Sequence, residues 1–159
     1  MSQTKEDQVL DILANGLMNY ANAKGDRSVL EMGAIAYRDV KDVFIENIQA
    51  YDTCMFAIPS MVVLPDIRVE CFVAVLSDRV IVAWRKGLIM KKTVSRVIPK
   101  SSIRQASWAV SNRPGSRGAW LLTITADETI DIALPVGKPN VADAILAAVR
   151  TSTGTTYSY

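Results

Sequence analysis

The chain has 159 residues and a mass of 17.4 kDa, room for one domain with a short extension and too little for a two-domain enzyme. Half of the residues are hydrophobic, 21% are charged and the formal net charge is +2, a balance that excludes a disordered or generally polybasic chain. There is no histidine, which removes Ser-His-Asp and Cys-His nucleophiles, imidazole metal sites and histidine pH switches together.

The opening residues, Met1 to Asp7, hold no basic stretch followed by an apolar one, so no secretory signal is expected. Residues 4 to 23 read as a helix: Val9, Leu10, Ile12, Leu13, Leu17, Met18 and Tyr20 recur near the 3.6 period, with Thr4-x-x-Asp7 as its cap and Gly16 as a weak point. A second capping pattern, Ser28-x-x-Glu31, opens a short helical piece, and Val40, Val43, Phe44 and Ile48 give a third helical face over residues 37 to 49. From Cys54 the texture changes to β-branched and aromatic runs separated by turn signals, at 54 to 58 or 61 to 64, 68 to 76, 79 to 85, 91 to 98, 103 to 111, 119 to 126 and 129 to 134. Connections as short as Ser77-Asp78 and Asp127-Glu128 join hairpin neighbours, because a parallel crossover needs a dozen or more residues. These are about seven strands of an antiparallel meander. A last helix follows Pro139, capped by Asn140 with Asp143 three residues on, striped by Val141, Ile145, Leu146 and Val149, and ending at Arg150. The tail, 151 to 159, is rich in Ser and Thr and is expected to fray. The domain reading is a helical segment over 1–52, a β-barrel with its C-terminal helix over 53–150, and a flexible tail over 151–159.

Seven meandering strands closed by a helix is the layout of a pleckstrin-homology barrel, and short motifs point the same way. Val75-Leu76-Ser77-Asp78-Arg79-Val80-Ile81-Val82 resembles the Leu-Thr-Asp-x-Arg-Leu strand-turn-strand of the bacterial pleckstrin-homology-like (PH-like) domains, with Lys86-Gly87-Leu88 at a similar spacing. Ile98-Pro99-Lys100-Ser101-Ser102-Ile103 resembles their Ile-Pro-Leu-x-x-Ile connection. The resemblance covers roughly residues 68–150. It implies an α+β protein built on a partly open barrel plugged by a helix, a non-catalytic binding role, and a tendency toward symmetric oligomers.

The near-zero charge conceals a segregation. Residues 1–78 hold 6 basic and 12 acidic side chains, residues 79–117 hold 10 basic and none acidic, and the remainder holds 2 basic and 4 acidic. The basic block is Arg79, Arg85, Lys86, Lys91, Lys92, Arg96, Lys100, Arg104, Arg113 and Arg117. It reads either as an anion-facing surface or as solvated strand faces neutralised by the acidic N-terminal helices. Its densest cluster is the hairpin around Gly87, where Arg85, Lys86, Lys91 and Lys92 converge. Arg96 and the loop residues Arg113 and Arg117 are further candidate anion contacts. The eukaryotic phosphoinositide pattern, a lysine followed in the next strand by Lys/Arg-x-Arg, is not cleanly matched by Lys86 and Lys91-Lys92.

Trp84 and Trp108 lie within the basic block and read as base-stacking surfaces or, from their alternation with Val80, Val82, Ala106 and Val110, as core. Cys54 and Cys71 sit in apolar runs and read as buried thiols of a reduced compartment, with a disulfide or a reactive thiol as the alternatives. No phosphate-cradling glycine loop or metal-ligand cluster appears, so no enzyme activity, metal or cofactor is expected. Met55, Phe56, Ile58, Met61 and Val63 lie in an apolar stretch with no charge until Asp66, which reads equally as a buried strand or as a self-association surface. The expected function is a cytoplasmic, non-enzymatic module for protein–protein interaction and self-assembly. The alternatives are peripheral binding of anionic lipid through the basic hairpin and, further off, nucleic-acid binding by the basic block.

Overall fold

The computed structural model describes residues 3–64, 68–87, 89–112, 117–135 and 137–151. Helix α1 spans Lys5–Lys24: the Thr4 hydroxyl accepts a hydrogen bond from the Asp7 amide at 3.1 Å, and Gly25 closes the helix at φ 71°, the left-handed conformation that favours glycine. The two helical pieces expected over residues 28–49 are one continuous helix, α2, Val29–Asn47. Ser28 does not cap it. Its hydroxyl and amide both donate to Asp26 Oδ1, at 2.6 and 2.9 Å, so the serine is spent on the turn between the helices.

Seven strands follow: β1 Cys54–Val63, β2 Arg68–Leu76, β3 Arg79–Lys86, β4 Lys92–Pro99, β5 Gln105–Val110, β6 Trp120–Thr125 and β7 Thr129–Leu134, with a 3-10 turn at Lys100–Ser102 and helix α3 at Pro139–Arg150. Helix α3 begins at Pro139 with Lys138 as its cap residue, not Asn140, since proline supplies a preset φ at the first helical position. All pairings are antiparallel, in the order β4-β3-β2-β1-β7-β6-β5. The partly open barrel expected from the sequence is found as a seven-stranded antiparallel sheet that does not close, for β4 and β5 share no ladder among the described residues. The sheet is nonetheless rolled. Six strand spacings would hold flat edges about 29 Å apart, whereas the chain from Pro99 to Gln105 reaches at most about 22 Å and spends part of that on the 3-10 turn.

Strand β1 runs through Pro59 without a break. Among the described residues its ladder to β7 covers Met61 and Val62, so Pro59 is paired with Phe72 of β2 and lies beyond that second ladder, the edge-like situation in which a missing N–H is tolerated.

The rolled sheet is covered on both faces. Val73, Val75, Val80, Val82 and Trp84 face a core closed by Val141, Ile145 and Val149 of α3. Phe72, Ala74, Leu76, Ile81 and Ala83, from the alternate positions of the same strands, face a second core with Val9, Leu13, Tyr37 and Phe44 of α1 and α2. Tyr37, Phe44 and Phe72 form an aromatic cluster, with Phe44 and Phe72 edge to face at 5.3 Å. Burial on both faces explains why β2 and β3 read as continuous apolar runs and why the mean hydropathy is positive, +0.17. Helix α1 crosses β1 closely at Gly16, where a Cβ would lie 2.3 Å from Cys54 Sγ. The glycine that weakens the helix is what lets it dock.

Candidate anion-binding surface

The ten basic residues separate into distinct environments. Arg79, at the start of β3, is internal: its guanidinium donates to both carboxylate oxygens of Asp52, at 3.1 and 2.8 Å, to Asp78 at 2.6 Å, and to the Asn47 carbonyl. The Asp52 bonds raise the Arg79 pKa further above its ordinary value. Burial alone would raise the Asp52 pKa, but the hydrogen bonds from Arg79 and the Gln49 amide, with the Arg79 charge, outweigh it and hold the carboxyl below its usual range. Arg96 pairs with Glu128 at 3.0 Å and lies 5.6 Å from the centre of the Trp84 ring.

Lys100 is buried beneath the end of α3, donating from Nζ to the carbonyls of Ala148 at 2.7 Å and of Thr151. It satisfies orphan carbonyls of a helix terminus, while burial pushes its pKa down to about 8 against the opposing charge of Asp78. Arg104 donates to the Ala126 carbonyl. The acidic helices do not neutralise the block: among the described residues, the ion pair made by an α1 or α2 carboxylate is Glu6 with Lys41, inside the helical layer at 3.0 Å.

What is left is the β3–β4 hairpin. Arg85, Lys86, Lys91 and Lys92 are all exposed, and among the described residues none has an acidic partner. Lys86 and Lys92 are directly opposed in the ladder on the face shared with Trp84 and Val94, whereas Arg85 opposes Thr93 on the other face. The cations thus ring the hairpin, and a directly opposed like-charged pair costs about 0.2–1 kcal/mol. At the tip Ile89 is 97% exposed and Met90 81% exposed. Gly87 holds the turn at φ 117°, and a Cβ there would come within 2.6 Å of the Met90 carbonyl oxygen. Sequence reasoning named the four cations and missed Ile89 and Met90, whose exposure no periodicity announces.

The other candidate residues fall elsewhere. Arg113 lies outside the described residues, and Arg117 is exposed in the β5–β6 connection. That connection is at the Val110–Trp120 end of the β5–β6 ladder, about 17 Å of strand from the Thr125 end beside Glu128, which meets Arg96. Arg117 therefore does not join the hairpin cluster. In β1, Ile58 is fully buried, Met55, Phe56, Met61 and Val63 are part-buried, and Met55 and Phe56 pack against the α3-side core. Trp84 is core, but Trp108 is part-buried, its ring tilted by 35° against that of Trp120 with centres 4.9 Å apart, and donates its indole N–H to Asp143 at 2.7 Å. Cys54 and Cys71 are free and buried, opposite Leu76 and Ser60 at well-separated points of the β1–β2 ladder. Burial pushes the Cys54 thiol up to about 12 and Cys71 upward as well. Among the described residues, no cluster of three or more Cys, Asp or Glu is arranged to hold a metal ion, and no helix is long and apolar enough to cross a membrane.

No protein-family model and no curated protein matches the chain. Among solved structures, it is similar to the C-terminal domain of an unknown protein from Leishmania infantum, at 9% identity, with a TM-score of 0.48 over 73% of this chain and 95% of that one. At that TM-score the likeness carries no argument about fold or function.

Proposed function

We propose that this protein is a non-enzymatic binding module of PH-like architecture that docks on anionic membrane surfaces through the β3–β4 hairpin. The rolled seven-stranded sheet with α3 on its inner face supports the architecture. The observation that carries the function is the hairpin tip, where exposed Ile89 and Met90 stand beside four exposed cations that have no acidic partner among the described residues. Basic residues near an anionic bilayer contribute about 1 kcal/mol each, so the four alone give only millimolar binding. Partial burial of two apolar side chains adds about 1.5 kcal/mol each, and the total of about 7 kcal/mol corresponds to roughly 10 μM. Both halves of the tip are needed.

Co-sedimentation with vesicles of phosphatidylcholine and 30% phosphatidylserine tests this, the lipid fraction being on the order used to mimic anionic membranes. Binding falls with added salt, with Lys91→Glu/Lys92→Glu and with Ile89→Ser/Met90→Ser, and is weak on pure phosphatidylcholine. Pelleting indifferent to salt and to both double substitutions contradicts the proposal.

A specific observation favours self-association as a second reading. Strand β5 is a sheet edge with no charged residue of its own; Arg150 covers its Ala106 carbonyl, while Val110 at the far end is 50% exposed, so that end lacks the usual protection. Sedimentation equilibrium should then show a dimer that Val110→Lys returns to monomer. A monomer at every concentration contradicts it.

A further inference from the structure

A second basic site lies away from the hairpin, where the 3-10 turn, the start of β5 and the end of α3 meet around a cavity of about 250 Å³. Three of its lining residues are cations, Lys100 of the 3-10 turn, Arg104 of the link to β5 and Arg150 of α3, and among the described residues no carboxylate lines it. Lys100 is buried and its ammonium is committed to Ala148, Thr151 and, at 3.7 Å, Met55 Sδ, so it supplies charge to the cavity and few free donors. The arginines differ. Each spends one terminal nitrogen on a backbone carbonyl, Arg104 on Ala126 and Arg150 on Ala106. A guanidinium carries five N–H donors, so both retain free donors for the two-pronged recognition of oxyanions. Ile103, part-buried, is the apolar side chain at its rim, with Ala106 and Val149 buried behind it.

We propose that this cavity binds a small organic phosphate, with the exposed Arg104 and Arg150 gripping the phosphoryl oxygens, Lys100 balancing the charge, and Ile103 meeting the organic body. A bare phosphate ion would leave most of the volume empty, which is why a monoester is the better fit. The site goes beyond the membrane-docking reading and does not depend on it.

The test is titration of the full-length ¹⁵N-labelled protein with phenyl phosphate and, separately, with inorganic phosphate. The expected result is saturable shifts confined to amides of residues 100–106 and 147–151, with phenyl phosphate binding several-fold more tightly. Arg104→Gln or Arg150→Gln weakens binding about ten-fold, the usual scale for losing a charge-assisted hydrogen bond, while Lys91→Glu/Lys92→Glu leaves it unchanged. The localisation of the shifts is read on the unsubstituted protein, so it holds even where a variant folds poorly. Absence of saturable shifts at millimolar ligand, or shifts centred on the hairpin and lost in its charge-reversed variant, overturns the proposal.

Discussion

Asp52 and Arg79 tie the helical layer to the sheet. The aspartate follows α2, the arginine opens β3, and the guanidinium also reaches the Asn47 carbonyl at the end of α2. The Asp52 side chain is almost wholly buried, so neutralising it removes charge-assisted hydrogen bonds while Arg79 keeps Asp78 and the Asn47 carbonyl, a loss of about 2 kcal/mol. Urea denaturation of Asp52→Asn at neutral pH should show that loss. The pH dependence has a definite sign, because the folded-state pKa of Asp52 lies below its unfolded value. The contribution is fully present above the unfolded value, about 3.9, and disappears as pH falls through the lower folded one. The stability gap between the native protein and Asp52→Asn should close on acidification below that point; a gap constant from neutral to strongly acidic pH contradicts the assignment.

At the level of elements, the two sheet edges are built differently, and the ladders say which amides face outward. The Lys100 amide donates to the Asp78 carbonyl at 2.8 Å, which places Ile98, Arg96 and Val94 in hydrogen-bonded pairs with β3 and turns the Thr93, Ser95 and Val97 amides to the open side. Pro99 falls on that open side, so its absent N–H costs the ladder nothing. On β5, the Ser111 amide donates to Ala119, which by the same alternation directs Ala106, Trp108 and Val110 outward. Hydrogen exchange at low protein concentration should find Thr93, Ser95, Val97, Trp108 and Val110 fast, with Val94, Arg96, Ser107 and Ala109 protected. The reverse pattern in either strand contradicts its register. Much of this layer is legible in the sequence: β2 and β7 fall on the expected bounds because turn residues flank uninterrupted apolar or alternating runs. The sequence suggests breaks at Pro59 and between two halves of α2, and neither occurs, because tertiary contacts decide both. The one-sided ladder at Pro59 and the shared core along α2 are not local properties of the chain.

For the whole molecule, the formal charge of +2 is the remainder after a division of labour. Arg79 is absorbed by Asp52 and Asp78, and Arg96 is matched by Glu128. Lys100 and Arg104 reach backbone carbonyls, as does Arg150 from α3. The sequence shows that the block is basic but not which cations have partners, since Asp52, Glu128 and the end of α3 are distant along the chain. It also leaves open whether Met55 to Val63 is core or surface; Ala57, Ile58 and Val62 are core, Met55 and Phe56 pack against it, and Met61 and Val63 are part-buried. Among the described residues of the basic block, four cations without an acidic partner, Arg85, Lys86, Lys91 and Lys92, share one hairpin, whose tip exposes two large apolar side chains.

The most direct measurement replaces Ile89 with cysteine and labels it with an environment-sensitive fluorophore; Cys54 and Cys71, each 3% exposed, stay unlabelled. On anionic vesicles the emission should shift to the blue and saturate, with no shift on neutral vesicles and none for a label carried at exposed Tyr51. Equal response of the two labels, or no response at Ile89 to anionic lipid, contradicts docking through this hairpin.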